Sequence, residues 1–274
     1  MSASIIDGKS ISKRIQKEIG VKAAEFSQAS GVRPKLAAVL VGEDPASQVY
    51  VRNKERACKR CNIDSELFRL GADSTTDQVM ELVNRLNEDA SVHGILVQLP
   101  LPDQVDAQVV LDAIRPLKDV DAFHPENVGL LSQGRPRFLP CTPFGIIHLL
   151  AQSNIETTGK HACIVGRSDI VGKPMALMLA QRDSELGSKF ANATVSICHS
   201  RTADLMAHTK MADIVIAAIG KPNFITADHL KEGAVVIDVG INRTDDGLVG
   251  DVDFAGASEV ASAITPVPLS LIHI

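Results

Sequence analysis

The sequence has no tryptophan, a single tyrosine (Tyr50) and only 3% aromatic residues, so stacking platforms for single-stranded nucleic acid and aromatic cages for cations are poorly supplied. Charge of one sign is lacking as well. The 28 Lys and Arg against 33 Asp and Glu leave a formal net charge of −5, which offers no electrostatic footprint for nucleic acid or an anionic membrane. Long apolar runs are missing: stretches such as 36–41 and 214–219 have the length of a core strand, far short of the ~20 residues that span a bilayer. No basic segment followed by a long apolar stretch opens the chain, and its five cysteines are an odd number. The expectation is a soluble, cytoplasmic protein with reduced thiols and with neither nucleic acid nor membrane as a partner.

What is present is a core-forming composition, 45% hydrophobic and 22% charged, in 274 residues, which exceeds one typical domain of ~150. Ile11, Ile15 and Ile19 recur every four residues and predict a helix from about Ser10. KLAAVLVG (35–42) reads as a buried strand, followed by a proline-bearing loop, 43–46, and a helix for which Ser47 is the candidate cap. Ser74 and Asp77 have capping-box-like spacing ahead of Val79, Leu82, Val83 and Leu86, and GILVQLPLP (94–102) supplies a second buried strand. Residues 118–140 read as an irregular connection, and Thr142-Pro143 as a helix entry. HACIVG, TVSICHS, DIVIAAIG and AVVIDVG then follow as four apolar strands separated by helical segments. The fold class expected is α/β, two domains with parallel-type sheets, the second Rossmann-like and doubly wound.

Several residues can carry chemistry. Gly166 and Gly172 frame a turn between a strand and a helix, where free N–H groups and the helix dipole favour a phosphate, although ordinary α/β turns use glycine in the same way. The next strand ends His199-Ser200-Arg201-Thr202, with no acidic residue to meet ribose hydroxyls; Ser, Arg and Thr suit a 2′-phosphate, and Arg167 is a second forked donor. Tyr50 and Lys54, four apart, share a helix face. Gln98, polar within an apolar run, needs a partner if buried, and Asp121 is either a loop cap or a ligand for an amino-substituted ring. Cys58-x-x-Cys61 lies near the end of the Tyr50 helix without a second CxxC, and Cys198-His199 is an incomplete set, so no metal is expected.

YVRNK, GILVQLPLP, KDVDAF, PCTPFGIIHLL, VGRSDIVGKP, CHSRT, ADIVIAAIGKP, VIDVGINR and GDVDF occur in this order from residue 50 to 254. The pattern resembles the bifunctional methylenetetrahydrofolate dehydrogenase/methenyltetrahydrofolate cyclohydrolase (FolD) family over nearly the whole chain. The resemblance implies a folate-binding catalytic domain (1–140), a Rossmann-like NADP-binding domain (141–264), a cleft between them as active site, and a homodimer. It implies oxidation of 5,10-methylenetetrahydrofolate with NADP and hydrolysis of the product to 10-formyltetrahydrofolate, a place in one-carbon metabolism that feeds purine biosynthesis. Lys54 is then the central catalytic residue, Tyr50 positions the folate ring, Gln98 bonds and tunes the lysine, and Asp121 anchors the pterin. Val97 and Leu99 join the substrate site, and Gly166, Arg167, Ser168, Ser200, Arg201 and Ile241 fall at cofactor positions.

The pattern departs from the family after Thr265-Pro266-Val267-Pro268, where LSLIHI stands in place of a Gly-Gly-Val-Gly-Pro-Met-Thr stretch. In the family that stretch approaches folate and nicotinamide, and residues 265–274 are expected to return to the first domain. Two alternatives are an NADP-binding protein left inactive by this tail and another two-domain NADP dehydrogenase resembling shikimate dehydrogenase. The second would not account for YVRNK together with VQLPLP and PCTP.

Overall fold

The structure is a computed structural model, and it describes residues 2–245 and 247–268. The first half of the chain forms β1 (Ser4–Ile5), α1 (Gly8–Ser30), β2 (Lys35–Val41), α2 (Pro45–Arg60), β3 (Asp64–Leu70), α3 (Thr76–Glu88), β4 (Gly94–Val97), α4 (Ala107–Asp112) and α5 (Pro125–Ser132). The second half forms α6 (Cys141–Gln152), β5 (His161–Val165), α7 (Gly172–Ala180), β6 (Thr194–Cys198), α8 (Leu205–Met211), β7 (Ile214–Ala217), β8 (Val235–Asp238), β9 (Asn242–Thr244), β10 (Gly247–Val249), α9 (Phe254–Val260) and β11 (Ala263–Ile264). Of the described residues, 12–141 make one compact unit, and 2–11 with 142–268 make the other.

In the N-terminal unit three parallel strands stand in the order β3-β2-β4. The central strand is apolar on both faces. Ala37, Val39 and Val41 pack with Val79, Leu82, Val83 and Leu86 of α3, whereas Ala38, Leu40 and Leu96 pack with Val51 of α2. Such two-sided burial explains why KLAAVLV reads as a continuous apolar run. Strand β3 was not anticipated. It lies at the edge of this sheet and carries Asp64, Glu66 and Arg69 among its apolar residues, so it lacks the signature of a buried strand.

Helix entries differ from the sequence expectations by small shifts. The cap of α2 is Asp44 and not Ser47: the carboxylate accepts Ser47 N–H at 2.7 Å, with Pro45 in the first turn, where its missing donor costs nothing. For α3 the capping box is Thr75 with Gln78, one residue later than Ser74 with Asp77. Helix α6 begins at Cys141, which puts Thr142 inside its first turn. The supposedly irregular stretch 118–140 contains α5, whose entry His124-Pro125 is capped by the His124 ring accepting Glu126 N–H at 3.1 Å.

The C-terminal unit is a six-stranded parallel sheet in the order β1-β11-β8-β7-β5-β6, with a separate β9-β10 hairpin. The four apolar segments read from the sequence are its β5 to β8. Their side chains are almost wholly buried in β5 and β7, and Cys163, Val165, Val215, Ala217 and Val236 join Ile225, Val252 and Ile264 in one core. The two short strands were not anticipated. β1 pairs with β11 through Ser4↔Ala263 and Ile5↔Ile264, so residues 2–11 belong to this unit, whereas 1–140 had been assigned to the first domain. Two-residue strands carry too little periodicity to be read from sequence. Thr265 continues the pairing by donating its N–H to Val236 O at 3.1 Å, and residues 269–274 of the altered tail lie outside the described residues. No helix among the described residues is long and apolar enough to cross a membrane.

Candidate active site

In the N-terminal unit, α2 buries Val51 against β2 and β4 and Ser47 beside the Leu99 carbonyl, and this fixes its rotation. Tyr50 and Lys54 stand beside that buried face and are both half-buried, while Arg52 and Arg56 are exposed. Burial pushes the Tyr50 phenol above its usual range. Among the described residues the Lys54 ammonium has no ion-pair or hydrogen-bond partner, yet its charge acts on both Asp121 and Cys141.

Asp121 is brought to this region by backbone pairing. Ile95 N–H donates to Lys118 O at 2.7 Å and Ile95 bridges Asp119, so the 118–121 segment runs beside β4. Asp119 is 2% exposed and accepts from His124 N–H and Asn127 Nδ2, both at 2.8 Å. Asn127 is in turn held by Arg137 at 2.8 Å. This polar cluster anchors the loop that presents Asp121. Burial pushes the Asp121 carboxyl above its usual range against the opposing pull of Lys54, and the Asp119 charge adds to the rise. The Cys141 thiol points at Asp121 Oδ1 (3.6 Å) and Val120 O (3.7 Å). Crowding by protein and the Asp121 charge push it up to about 12, although part of the residue is exposed, so it is a poor nucleophile near neutral pH.

Gln98 extends β4, its N–H donating to Val39 O at 2.9 Å. Its Nε2 donates to Leu99 O at 2.6 Å, a carbonyl that also accepts from Ser47 Oγ at 3.5 Å. That contact fixes the amide orientation, since a flipped amide would set two carbonyl oxygens against each other. Gln98 Oε1 is thereby left buried with no donor. An orphaned acceptor of this kind is costly and marks a place for a partner. Val97 belongs to the core at 3% exposure, so only its backbone is available to a ligand.

In the C-terminal unit, β5 runs into a loop that only glycine permits at both ends. Gly166 has φ +133°, and a Cβ there would lie 2.2 Å from Ala218 O; a Cβ on Gly172 would lie 2.3 Å from Gly166 O. Ser168 Oγ accepts from Val171 N–H (3.2 Å) and Gly172 N–H (3.3 Å), shaping the entry to α7. Arg167 and Ser168 themselves are exposed. At the end of β6 the turn is tied by His199 N–H to Thr202 Oγ1 (2.9 Å) and Thr202 N–H to His199 O (2.8 Å). Thr202 is thus committed to the turn, whereas Ser200 and Arg201 project into solvent. The nearest acid, Asp204, is turned away to cap α8 through Ala207 N–H at 3.0 Å. Ile241, between β8 and β9, is 43% exposed.

Two residues that sequence reasoning passed over organise this region. Asp238 and Asp251 are 2% and 0% exposed; Asp238 accepts from the N–H groups of Gly240, Asp251 and Val252, and Asp251 from those of the loop after β7. The signal was present in VVIDVG and GDVDF, where an aspartate interrupts or adjoins apolar residues and must find donors if buried.

Comparison with known proteins identifies the family. The family described as tetrahydrofolate dehydrogenase/cyclohydrolase, catalytic domain, matches residues 6–121, and its NAD(P)-binding domain matches residues 140–271. The bifunctional protein FolD of Rhodopirellula baltica is 59% identical over 274 residues, covering 98% of this chain and 91% of the relative. The crystal structure of the bifunctional enzyme FolD from Campylobacter jejuni is 45% identical with a TM-score of 0.92, covering 99% of this chain and 94% of that one. The Trypanosoma brucei FolD structure, complexed with NADP cofactor and inhibitor, is 36% identical with a TM-score of 0.90, covering 100% and 94%. A shikimate dehydrogenase structure, at 14% identity and a TM-score of 0.51 over 88% of this chain and 87% of that one, shares the fold alone. On these grounds the chain belongs to the tetrahydrofolate dehydrogenase/cyclohydrolase family.

Proposed function

We propose that this protein oxidises 5,10-methylenetetrahydrofolate to 5,10-methenyltetrahydrofolate with NADP+ and hydrolyses that product to 10-formyltetrahydrofolate. The N-terminal unit, residues 12–141, holds the folate; the C-terminal unit holds the nucleotide. The observation that carries the reading is the pair of uncommitted polar groups on adjoining elements. Among the described residues these are the Lys54 ammonium on α2, without an acceptor, and the buried Gln98 Oε1 at the end of β4, without a donor. Val51 and Leu96 pack these two elements together.

The residues present suit the chemistry. Asp121 offers carboxylate oxygens to the ring N–H groups of a pterin, and Tyr50 offers a ring face and a phenol beside it. When bound, NADP+ accepts the hydride of the one-carbon unit. Gly166 and Ser168 shape a turn into the N-terminus of α7 that suits the pyrophosphate, while Arg167, Ser200 and Arg201 suit the 2′-phosphate, and Ile241 offers an apolar surface. The methenyl product is a cation, so water adds to it readily. Ring opening then requires a proton to leave the added water and another to reach the departing ring nitrogen. As the neutral amine Lys54 takes the proton of the added water, and as the resulting ammonium it gives a proton to the departing nitrogen, with Gln98 Oε1 accepting one of its N–H groups and holding it in place. No covalent nucleophile is needed, in keeping with the high pKa of Cys141. Family likeness supports two further parts of the reading, a homodimer and a cytoplasmic setting in which 10-formyltetrahydrofolate feeds purine biosynthesis.

The test is Lys54→Met, expected to abolish methenyltetrahydrofolate hydrolysis while NADP binding, measured by calorimetry, stays intact. Hydrolysis at the wild-type rate would overturn the role of Lys54.

A further inference from the structure

The loop after β7 presents three consecutive N–H groups, Ile219, Gly220 and Lys221, with Gly220 at φ +64°. Successive amides turned inward in this way form a concave nest for an anion. Here the nest is filled from within. Asp251 Oδ2 accepts from Ile219 N–H (2.6 Å) and Gly220 N–H (2.9 Å), and Oδ1 accepts from Lys221 N–H (2.9 Å) and Asn242 Nδ2 (2.9 Å). One fully buried carboxylate therefore joins the loop after β7 to Asn242, the first residue of β9 and the sequence neighbour of Ile241.

Asp251 is itself held in register. Asp238 Oδ1 accepts Asp251 N–H and Oδ2 accepts Val252 N–H, both at 2.9 Å, and Oδ1 also accepts Gly240 N–H at 3.0 Å. Gly250 admits this close approach, since a Cβ there would lie 1.8 Å from Asp238 Oδ2. The loop so fixed begins at Ala218, the residue whose carbonyl leaves no room for a Cβ on Gly166, and Ala218 N–H donates to Val165 O at 2.8 Å. The sheet order reverses around β5, with β6 on one side and β7 on the other, and the carboxyl ends of such strands are where open α/β sheets bind nucleotides.

We infer that Asp251 is a positioning residue for nucleotide binding: by filling the amide nest after β7 and bonding Asn242, it holds the wall of the crevice against which Gly166 and Ile241 are set. The inference rests on the proposed reading of the C-terminal unit as the NADP site. Its chemistry is specific to a carboxylate, because all four partners are donors. Asp251→Asn keeps the shape but turns an NH2 group towards N–H groups. Asp251→Ala leaves a nest of donors that a small carboxylate can fill.

The experiment measures NADP affinity by calorimetry, dehydrogenase KM and kcat for NADP, and nucleotide-free methenyltetrahydrofolate hydrolysis in the full chain. Asp251→Asn is expected to weaken NADP at least tenfold in Kd and KM, leaving hydrolysis within twofold of wild type, since the hydrolytic residues lie in the other unit. Asp251→Ala is expected to weaken NADP similarly and to recover in millimolar formate, which Asp251→Asn does not. Unchanged NADP affinity in Asp251→Asn, or equal loss of NADP binding and hydrolysis in both variants without recovery in formate, overturns the inference. Wild-type protein that binds NADP but turns over no folate would sink the folate reading alone, with the affinity comparison still decisive for Asp251; wild-type protein that binds no NADP overturns both.

Discussion

Gln98 carries the kind of local defect that a binding role would account for. Its buried Oε1 lacks a donor, a defect worth about 1–3 kcal/mol in other proteins, partly offset by its Nε2 bond to Leu99 O. Gln98→Met is therefore expected to leave stability within about 1 kcal/mol of wild type, or to raise it, while hydrolysis falls by a factor of ten or more. Denaturant midpoints and initial rates check this; a stability loss of several kcal/mol with hydrolysis intact would make Gln98 a structural residue only. Asp238 is a second such case. Burial raises its carboxyl to about 6 despite three backbone donors, from an ordinary value of 3.8. Its folded pKa lies above the unfolded one, so its favourable contribution is fully present below about pH 3.8 and is lost as pH rises through about 6. The change is about 3 kcal/mol in total, and Asp238→Asn should reduce the fall in stability between pH 4 and 6.5, read from chemical denaturation at each pH. An unchanged slope would contradict the burial of that charge. The residues the sequence disclosed poorly are of this kind: Asp238 and Asp251 interrupt or adjoin apolar residues in VVIDVG and GDVDF, but the amides that they and Asp119 meet are set by the fold, and no periodicity announces those.

At the scale of elements, strands buried on both faces and helices with one apolar stripe were readable, because burial imposes their pattern directly. Strands β2, β4, β5, β6, β7 and β8 and helices α1 and α3 follow from such runs. The edge strand β3 and the two-residue β1 and β11 did not, since their pairing is set by tertiary context. Caps were displaced by a residue or more because Ser, Thr and Asp compete for the same position, and the winner is the one whose oxygen reaches a free N–H. Thr75→Ala removes the side-chain half of the α3 capping box, in which Thr75 Oγ1 accepts Gln78 N–H, and should cost about 1 kcal/mol, measured by thermal or denaturant unfolding, with little effect on catalysis. Gly166→Ala belongs to the same scale, as a substitution in a strand-to-helix connection. It drives a Cβ into Ala218 O at φ +133°, so it should destabilise the protein by at least about 2 kcal/mol and weaken NADP, as unfolding and calorimetry would show. Wild-type stability in that variant would mean that the turn has room the geometry denies.

For the whole molecule, two α/β units and a nucleotide-binding sheet were legible from alternating strands and helices. The folate chemistry was not. Spacing alone placed Tyr50 and Lys54 on one helix face, and the functional assignment came from nine motifs in a fixed order, which the matches to both family domains now support. What the structure adds is the commitment of each group: Thr202 is tied into the turn and Asp204 caps α8, while Arg167, Ser200 and Arg201 are exposed. Arg167→Ala with Arg201→Ala should accordingly raise KM for NADP much more than for NAD, and steady-state kinetics with equal effects on the two would remove the 2′-phosphate argument. The central claim is that one chain performs both folate reactions. Its most direct test is a spectroscopic time course of the full chain with 5,10-methylenetetrahydrofolate and NADP or NAD, following nicotinamide reduction and methenyl disappearance separately. The account predicts reduction with NADP, followed by hydrolysis of the methenyl intermediate; the absence of either signal from folded protein would contradict it.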